Sequence, residues 1–233
     1  MLLQIYSQTE GKLLRPYWYG GQIVSALQDR EEYAILVTHG QCVRAQVLLT
    51  VDGLNVLTAN RANMTLTEPA FMTESYSRGL RIVAWAESSV GGGAFVYTTR
   101  NSMSVSAHRN GDPSRLGLIE AMIWTEGSHQ GNLRMPSGRQ PEVFTKDRSE
   151  SGGTGVGDWT TQHLTEASPL VYPQFYAHAA MRLVTVADLG CALKKSTARP
   201  LQYPPETNFA ELSGVPRIRG ARSANVDFVR FDN

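Results

Sequence analysis

The residues of this 233-residue chain with the most direct chemical potential are five histidines, two cysteines, a few close carboxylates and one glycine run. His39, His108, His129, His163 and His178 are dispersed, none at H-x-x-x-H or H-E-x-x-H spacing, and Cys42 and Cys191 form no C-x-x-C. Zinc sites normally announce themselves through such spacings, so no metal is expected. Glu31-Glu32 and Asp147/Glu150 read as a solvated turn and a solvated loop rather than acid/base couples. Two dispersed carboxylates would suffice for a glycosidase, but nothing in the sequence selects them. There is no G-x-S-x-G nucleophile elbow. Gly152-Gly-Thr-Gly-Val-Gly157 has the glycine density of a phosphate loop. However, Asp158-Trp159 follows it instead of a helix start carrying Lys and Ser/Thr, and it reads as a flexible connector. Gly91-Gly-Gly93 receives the same reading. Asn63-Met-Thr65 matches a glycosylation acceptor, which means little without a secretory leader. The expectation is a protein with no catalytic, cofactor or metal residues: not an enzyme.

Recognition chemistry is better represented. Tyr17-Trp18-Tyr19, after Arg15-Pro16, places three aromatics in succession. In an extended chain they cannot all enter one core, so at least one lies on the other face. Exposed aromatics anchor protein interfaces or stack on sugars; the competing reading buries them across two layers. Tyr172 and Tyr176, in Tyr172-Pro-Gln-Phe-Tyr176, raise the same question. Arg217, Arg219 and Arg222 form the only basic cluster, nearly neutralised by Glu206, Glu211, Asp227 and Asp232. That balance suits ion pairs with other chains better than phosphate contacts. Phe228 and Phe231 complete the expected partner-binding set.

The elements that must position these residues read mostly as strands. Tyr33–Thr38 is short and β-branched. Val43, Ala45, Val47, Leu49 and Val51 share one parity, the period of a strand with one buried face, and Leu48 implies partial cover on the other. Asp52-Gly53 is a hairpin signal before Leu54–Leu57. Gly79–Trp85, Ala94–Thr98, Leu116–Trp124 and Met181–Val186 are further strands. Asp188–Lys195 reads as a short helix with Asp188 as N-cap and lysines at its last turn. The fold expected is a mainly β, antiparallel β-sandwich with one short helix, a long Gly-rich loop and an extended C-terminal arm. Its parts are a core over residues 1–127, the loop over 128–158, a strand and helix completing the core over 159–196, and the arm over 197–233. The arm's last residues alternate apolar and polar, as a strand added to its own sheet or to a neighbour's would.

Composition supports a packed protein and little else. Charged residues are 18% and the net charge is +1, so no overall field steers nucleic acid or an anionic membrane toward the chain. Of the 22 basic residues, 18 are Arg and 4 are Lys, a bias typical of interfaces and buried ion pairs. The opening residues have no cationic start or apolar core, so no signal peptide is expected, and no stretch is apolar enough for a membrane helix. The cysteines read as buried thiols in a reducing cytoplasm, with a Cys42–Cys191 disulfide as the alternative.

The stretch Val47-Leu-Leu-Thr-Val-Asp-Gly-Leu-Asn-Val-Leu57 resembles a motif of a group of bacterial and phage-associated β-proteins. In that group a strand ends in Val-Asp-Gly-Leu-Asn-Val. The same order continues here in Glu74-Ser-Tyr76, Leu80–Trp85, Ala94-Phe-Val-Tyr-Thr98, Val105-Ser-Ala-His-Arg109, Leu116-Gly-Leu-Ile119, Gly153-Thr-Gly-Val-Gly157 and Met181–Val186, over roughly residues 33–195. The tyrosine region and the Ala-His-Arg segment match only approximately. The resemblance implies a mainly β fold and a phage setting, and brings no activity. The functional expectation is therefore a structural protein of a phage virion, such as a capsid decoration or cement protein or a head or tail accessory. It would assemble in the host cytoplasm and bind other virion proteins, as a homo-oligomer or in a capsid lattice. The alternative is a β-sandwich module binding carbohydrate or a cell surface.

Overall fold

The computed structural model describes residues 2–39, 43–75, 79–98, 113–127, 152–201 and 217–219. The protein is mainly β, with sixteen strands and one α-helix among these residues. The first sheet is built from β1 (Leu2–Ser7), β2 (Lys12–Leu13), β5 (Glu31–Thr38), β9 (Gly79–Ile82), β10 (Gly91–Thr98) and β12 (Gly153–Thr161). Its order is β12-β10-β5-β1-β2, with β9 also on β5. The second contains β3 (Tyr17–Tyr19), β4 (Gln22–Leu27), β6 (Ala45–Val51), β7 (Leu54–Asn55), β8 (Ala70–Thr73), β11 (Leu118–Glu126), β13 (Thr165–Glu166), β14 (Pro173–Thr185), β15 (Ala198–Pro200) and β16 (Arg217–Arg219). It runs β13-β16-β8-β6-β11-β14-β4-β3-β15, with β7 on β6. Pairing is antiparallel except between β14 and β4 and between β13 and β16, which are parallel.

One core draws on both sheets: Ile5, Tyr33, Ile35, Val37 and Phe95 from the first, Val47, Leu49, Phe71, Ile119, Ile123 and Leu183 from the second. Aromatics pack at its centre, with Tyr33 stacked on Phe95 at 5.5 Å and Trp85 edge-on to Phe95 at 5.4 Å. The outer face of the second sheet is covered as well. Leu48, Met72 and Trp124 pack with Leu170, Met64 and Leu66, so every residue of β6 is buried, beyond the partial second cover expected from Leu48. Val43, assigned to the same strand by parity, lies before it and is exposed.

The glycine runs are the main departure from the sequence reading. Gly91–Gly93 and Gly153–Gly157 are not flexible connectors; they lie in β10 and β12 and are paired with each other's strand. Gly91 lies opposite Thr161, Gly93 opposite Trp159, Val96 opposite Gly155 and Thr98 opposite Gly153. A Cβ on Gly92 would sit 1.9 Å from the Trp85 carbonyl oxygen, an approach only glycine permits. The loop placed over 128–158 therefore gives way at residue 153 to a strand of the first sheet. At the other end, residues 198–200, assigned to the arm, form β15 beside β3.

Val51-Asp-Gly-Leu-Asn-Val56 joins the two sheets. Asp52 (φ +55°) and Gly53 (φ +81°) turn β6 into β7. The buried Asp52 carboxylate accepts the Gly117 N–H on Oδ1 at 2.6 Å and the Thr154 N–H on Oδ2 at 2.7 Å. Asn55, also buried, donates to the Pro69 carbonyl and accepts the Leu57 N–H, both at 2.9 Å. The motif is an internal fastener. The helix α1 (Val186–Lys194) is capped by Thr185, not Asp188. The Thr185 hydroxyl accepts the Asp188 N–H at 3.0 Å and donates to the Asp188 carboxylate at 2.7 Å, so Asp188 holds the cap rather than being it. Cys191, on this helix, is a free and exposed thiol rather than a buried one; Cys42 lies outside the described residues.

Candidate functional site

The expected recognition residues fall at separate places. On β3, Tyr17 and Tyr19 pack with Leu189 and Ala192 of α1, whereas Trp18 turns to the opposite face and is 39% exposed. Trp18 pairs across the ladder with Ile23 and Arg199. Tyr172 and Tyr176 belong to the other end of the sheet, at the start of β14. Six residues of strand, ~20 Å, separate Tyr176 from Arg182, where pairing with β4 begins. Arg217 and Arg219 lie on β16, in register with Met72 and Ala70. Arg222, Phe228 and Phe231 lie outside the described residues.

The Tyr172 end is the more elaborate of these places. Arg44 Nη1 meets Glu126 Oε1 at 3.3 Å, and the same oxygen accepts the Val171 N–H at 2.8 Å. Arg44 Nη2 also donates to the Ser168 carbonyl at 2.6 Å. One half-buried ion pair thus pins residues 168–171 to the ends of β6 and β11. Next comes Tyr172 at φ +50°, a backbone conformation costing a bulky residue about 1–2 kcal/mol. It is held there by Gly127, whose N–H donates to the Tyr172 carbonyl at 3.1 Å. A Cβ on Gly127 would lie 2.8 Å from that oxygen. The strain turns no side chain inward: Val171 is 55% and Tyr172 46% exposed, and Val43, next to Arg44, is exposed too. Four residues on, the Tyr176 hydroxyl donates to the His39 carbonyl at 3.1 Å while its ring stays partly in solvent. Beneath it, buried His39 shares a 3.1 Å hydrogen bond with the Thr73 hydroxyl, and burial lowers its pKa.

A second polar group went unseen in the sequence. Glu120, inside the most apolar run of the chain, is buried on the outer face of the second sheet. Arg115 Nη1 reaches its Oε2 at 2.9 Å and His178 Nε2 its Oε1 at 3.5 Å. Arg182 lies nearby, its guanidinium donating to the carbonyls of Leu116 at 2.6 Å and Ser114 at 3.4 Å and to Gln22 Oε1 at 3.2 Å. Arg115 also covers Gly53. With its oxygens taken and its surface closed, Glu120 is an internal tie rather than an open acid or base. A lone charge in an apolar run was the signal that it needed buried partners. Among the described residues no group of three or more His, Cys, Asp or Glu gathers as metal ligands would.

Comparison with known proteins adds nothing to this geometry: no family model, curated protein or solved structure matches the chain.

Proposed function

We propose that this chain is a non-enzymatic structural protein of a phage virion, a decoration, cement or head or tail accessory protein that works through protein–protein contacts. The observation that carries the reading is Tyr172. A left-handed backbone is maintained at a tyrosine, by Gly127 and the Arg44–Glu126 pair, while its ring and that of Tyr176, with Val171 and Val43, remain in solvent. Strain kept where it serves no internal packing points to an external role. Tyrosine and arginine around an apolar centre is the composition of interface hot spots. The phage setting rests on the resemblance of the Val-Asp-Gly-Leu-Asn-Val segment. The test is sedimentation of the purified protein, alone and with particles from a producing culture. Self-association or co-sedimentation is expected; a monomer that never pellets with particles defeats the reading.

The second reading, a carbohydrate- or cell-surface-binding module, is favoured by Trp18, whose exposed indole offers a sugar-stacking surface. A glycan screen with Trp18→Ala and Tyr176→Ala separates the two. Glycan binding abolished by either change supports this module, and binding indifferent to both counts against these residues.

A further inference from the structure

β15 and β16 follow one another in the chain but lie far apart in the same sheet. β15 forms one edge, paired with β3; β16 is inserted near the other, between β8 and β13. Counting along the sheet order, seven strand spacings separate them, roughly 34 Å at ~4.8 Å each. The chain from residue 200 to residue 217 extends at most about 60 Å. A connection that follows the sheet would take more than half of that length, before any detour around α1 and the cover formed by Leu170, Met64 and Leu66. What β16 binds, by contrast, is a ready-made slot. Its register is antiparallel to Ala70–Met72 on one side and parallel to Thr165-Glu166 on the other. Among the described residues β13 pairs with no other strand, and without β16 the backbone edge of β8 would be open. Both ladders are made by backbone groups, so they form equally well with Arg217–Arg219 of any copy of the chain. Exchange of an identical element needs no new interface and relieves the single chain of the crossing.

Resting on the assembly reading above, we propose that β16 is an exchanged strand: in the assembled state Arg217–Arg219 of each copy fills the slot between β8 and β13 of a neighbouring copy.

Cysteine pairing tests this in the full-length protein, in a Cys42→Ser/Cys191→Ser background. One chain carries Met72→Cys and a second, differently tagged, carries Arg217→Cys; the two are co-expressed and oxidised. These positions are register partners, ~5 Å apart at Cα and within disulfide reach. A covalent heterodimer on a non-reducing gel is expected, while Met72→Cys co-expressed with Arg199→Cys, on the far edge, stays unlinked. Absence of a heterodimer both with this pair and with Ala70→Cys plus Arg219→Cys overturns the proposal, as does equal linkage of the control. A chain carrying both Met72→Cys and Arg217→Cys distinguishes the two levels of failure. If it links only to itself yet still sediments as an oligomer or with particles, exchange alone is wrong; if it links only to itself, stays monomeric and never pellets with particles, the assembly reading falls as well.

Discussion

Asp52 Oδ2 accepts the backbone N–H of Thr154 at 2.7 Å, tying a turn of the second sheet to the edge strand of the first. Its other oxygen holds Gly117, so one carboxylate serves two backbone amides. In Asp52→Asn one of these N–H groups would face an amide NH2. A charge-assisted bond and a buried donor are then lost together, at a cost of about 3 kcal/mol. The urea midpoint should fall accordingly, and hydrogen exchange at Thr154 should accelerate more than exchange in β11. A loss below about 1 kcal/mol would mean the fastener is dispensable.

The glycines of β10 and α1 should respond in opposite directions. At Gly92 an added methyl meets the Trp85 carbonyl, which is backbone and cannot move aside. Gly92→Ala should cost more than about 3 kcal/mol. At Gly190, in α1, an added methyl would meet nothing within 4 Å. Gly190→Ala should stabilise by roughly 0.5–1 kcal/mol through helix propensity. Thermal unfolding of both variants checks the pair. Equal effects would contradict the packing described at Gly92.

This contrast marks where the sequence was legible. Val43–Val51 announces a strand through a period of two, Tyr33–Thr38 through a short β-branched run, and Asp52-Gly53 announces a turn. Gly91–Gly93 and Gly153–Gly157 have no side chains to alternate, so two paired strands looked like linkers. Three consecutive aromatics implied that at least one of Tyr17–Tyr19 lies on the other face; that Trp18 is the one, and that it is exposed, comes from the packing of Tyr17 and Tyr19 beside α1. A lone charge in an apolar run marked Glu120 as needing partners, but that His178 is one of them depends on the β11–β14 register, which no local pattern carries. The same is true of Tyr172: its positive φ is imposed by Gly127 and by Arg44 and Glu126, all distant in sequence. Thr185 and Asp188 are hydrogen-bonded to each other, and the sequence alone favoured the wrong member of the pair as cap.

His39 gives the fold a defined acid sensitivity. Burial lowers its pKa in the folded protein, so on acidification the unfolded chain takes up a proton first. Its contribution is therefore complete above the unfolded value near 6.5. It declines as pH falls below that value toward the folded pKa, by at most about 1.4 kcal/mol per pH unit. Urea unfolding between pH 7.5 and 5, conditions chosen around ~6.5, should show stability falling with acid, and His39→Gln should flatten this slope. An unchanged slope in the variant would assign the acid sensitivity to other groups.

The most direct measurement of the central claim is sedimentation of Tyr172→Gly beside the unsubstituted protein. Glycine accepts φ +50° without strain, so the variant should keep or gain stability, by up to about 1 kcal/mol, while losing the exposed ring. The account predicts a folded protein with an unshifted or higher melting temperature whose self-association or particle binding is weakened at least about tenfold, the loss of one ~1.4 kcal/mol anchor. A variant that assembles as well as the original would contradict it.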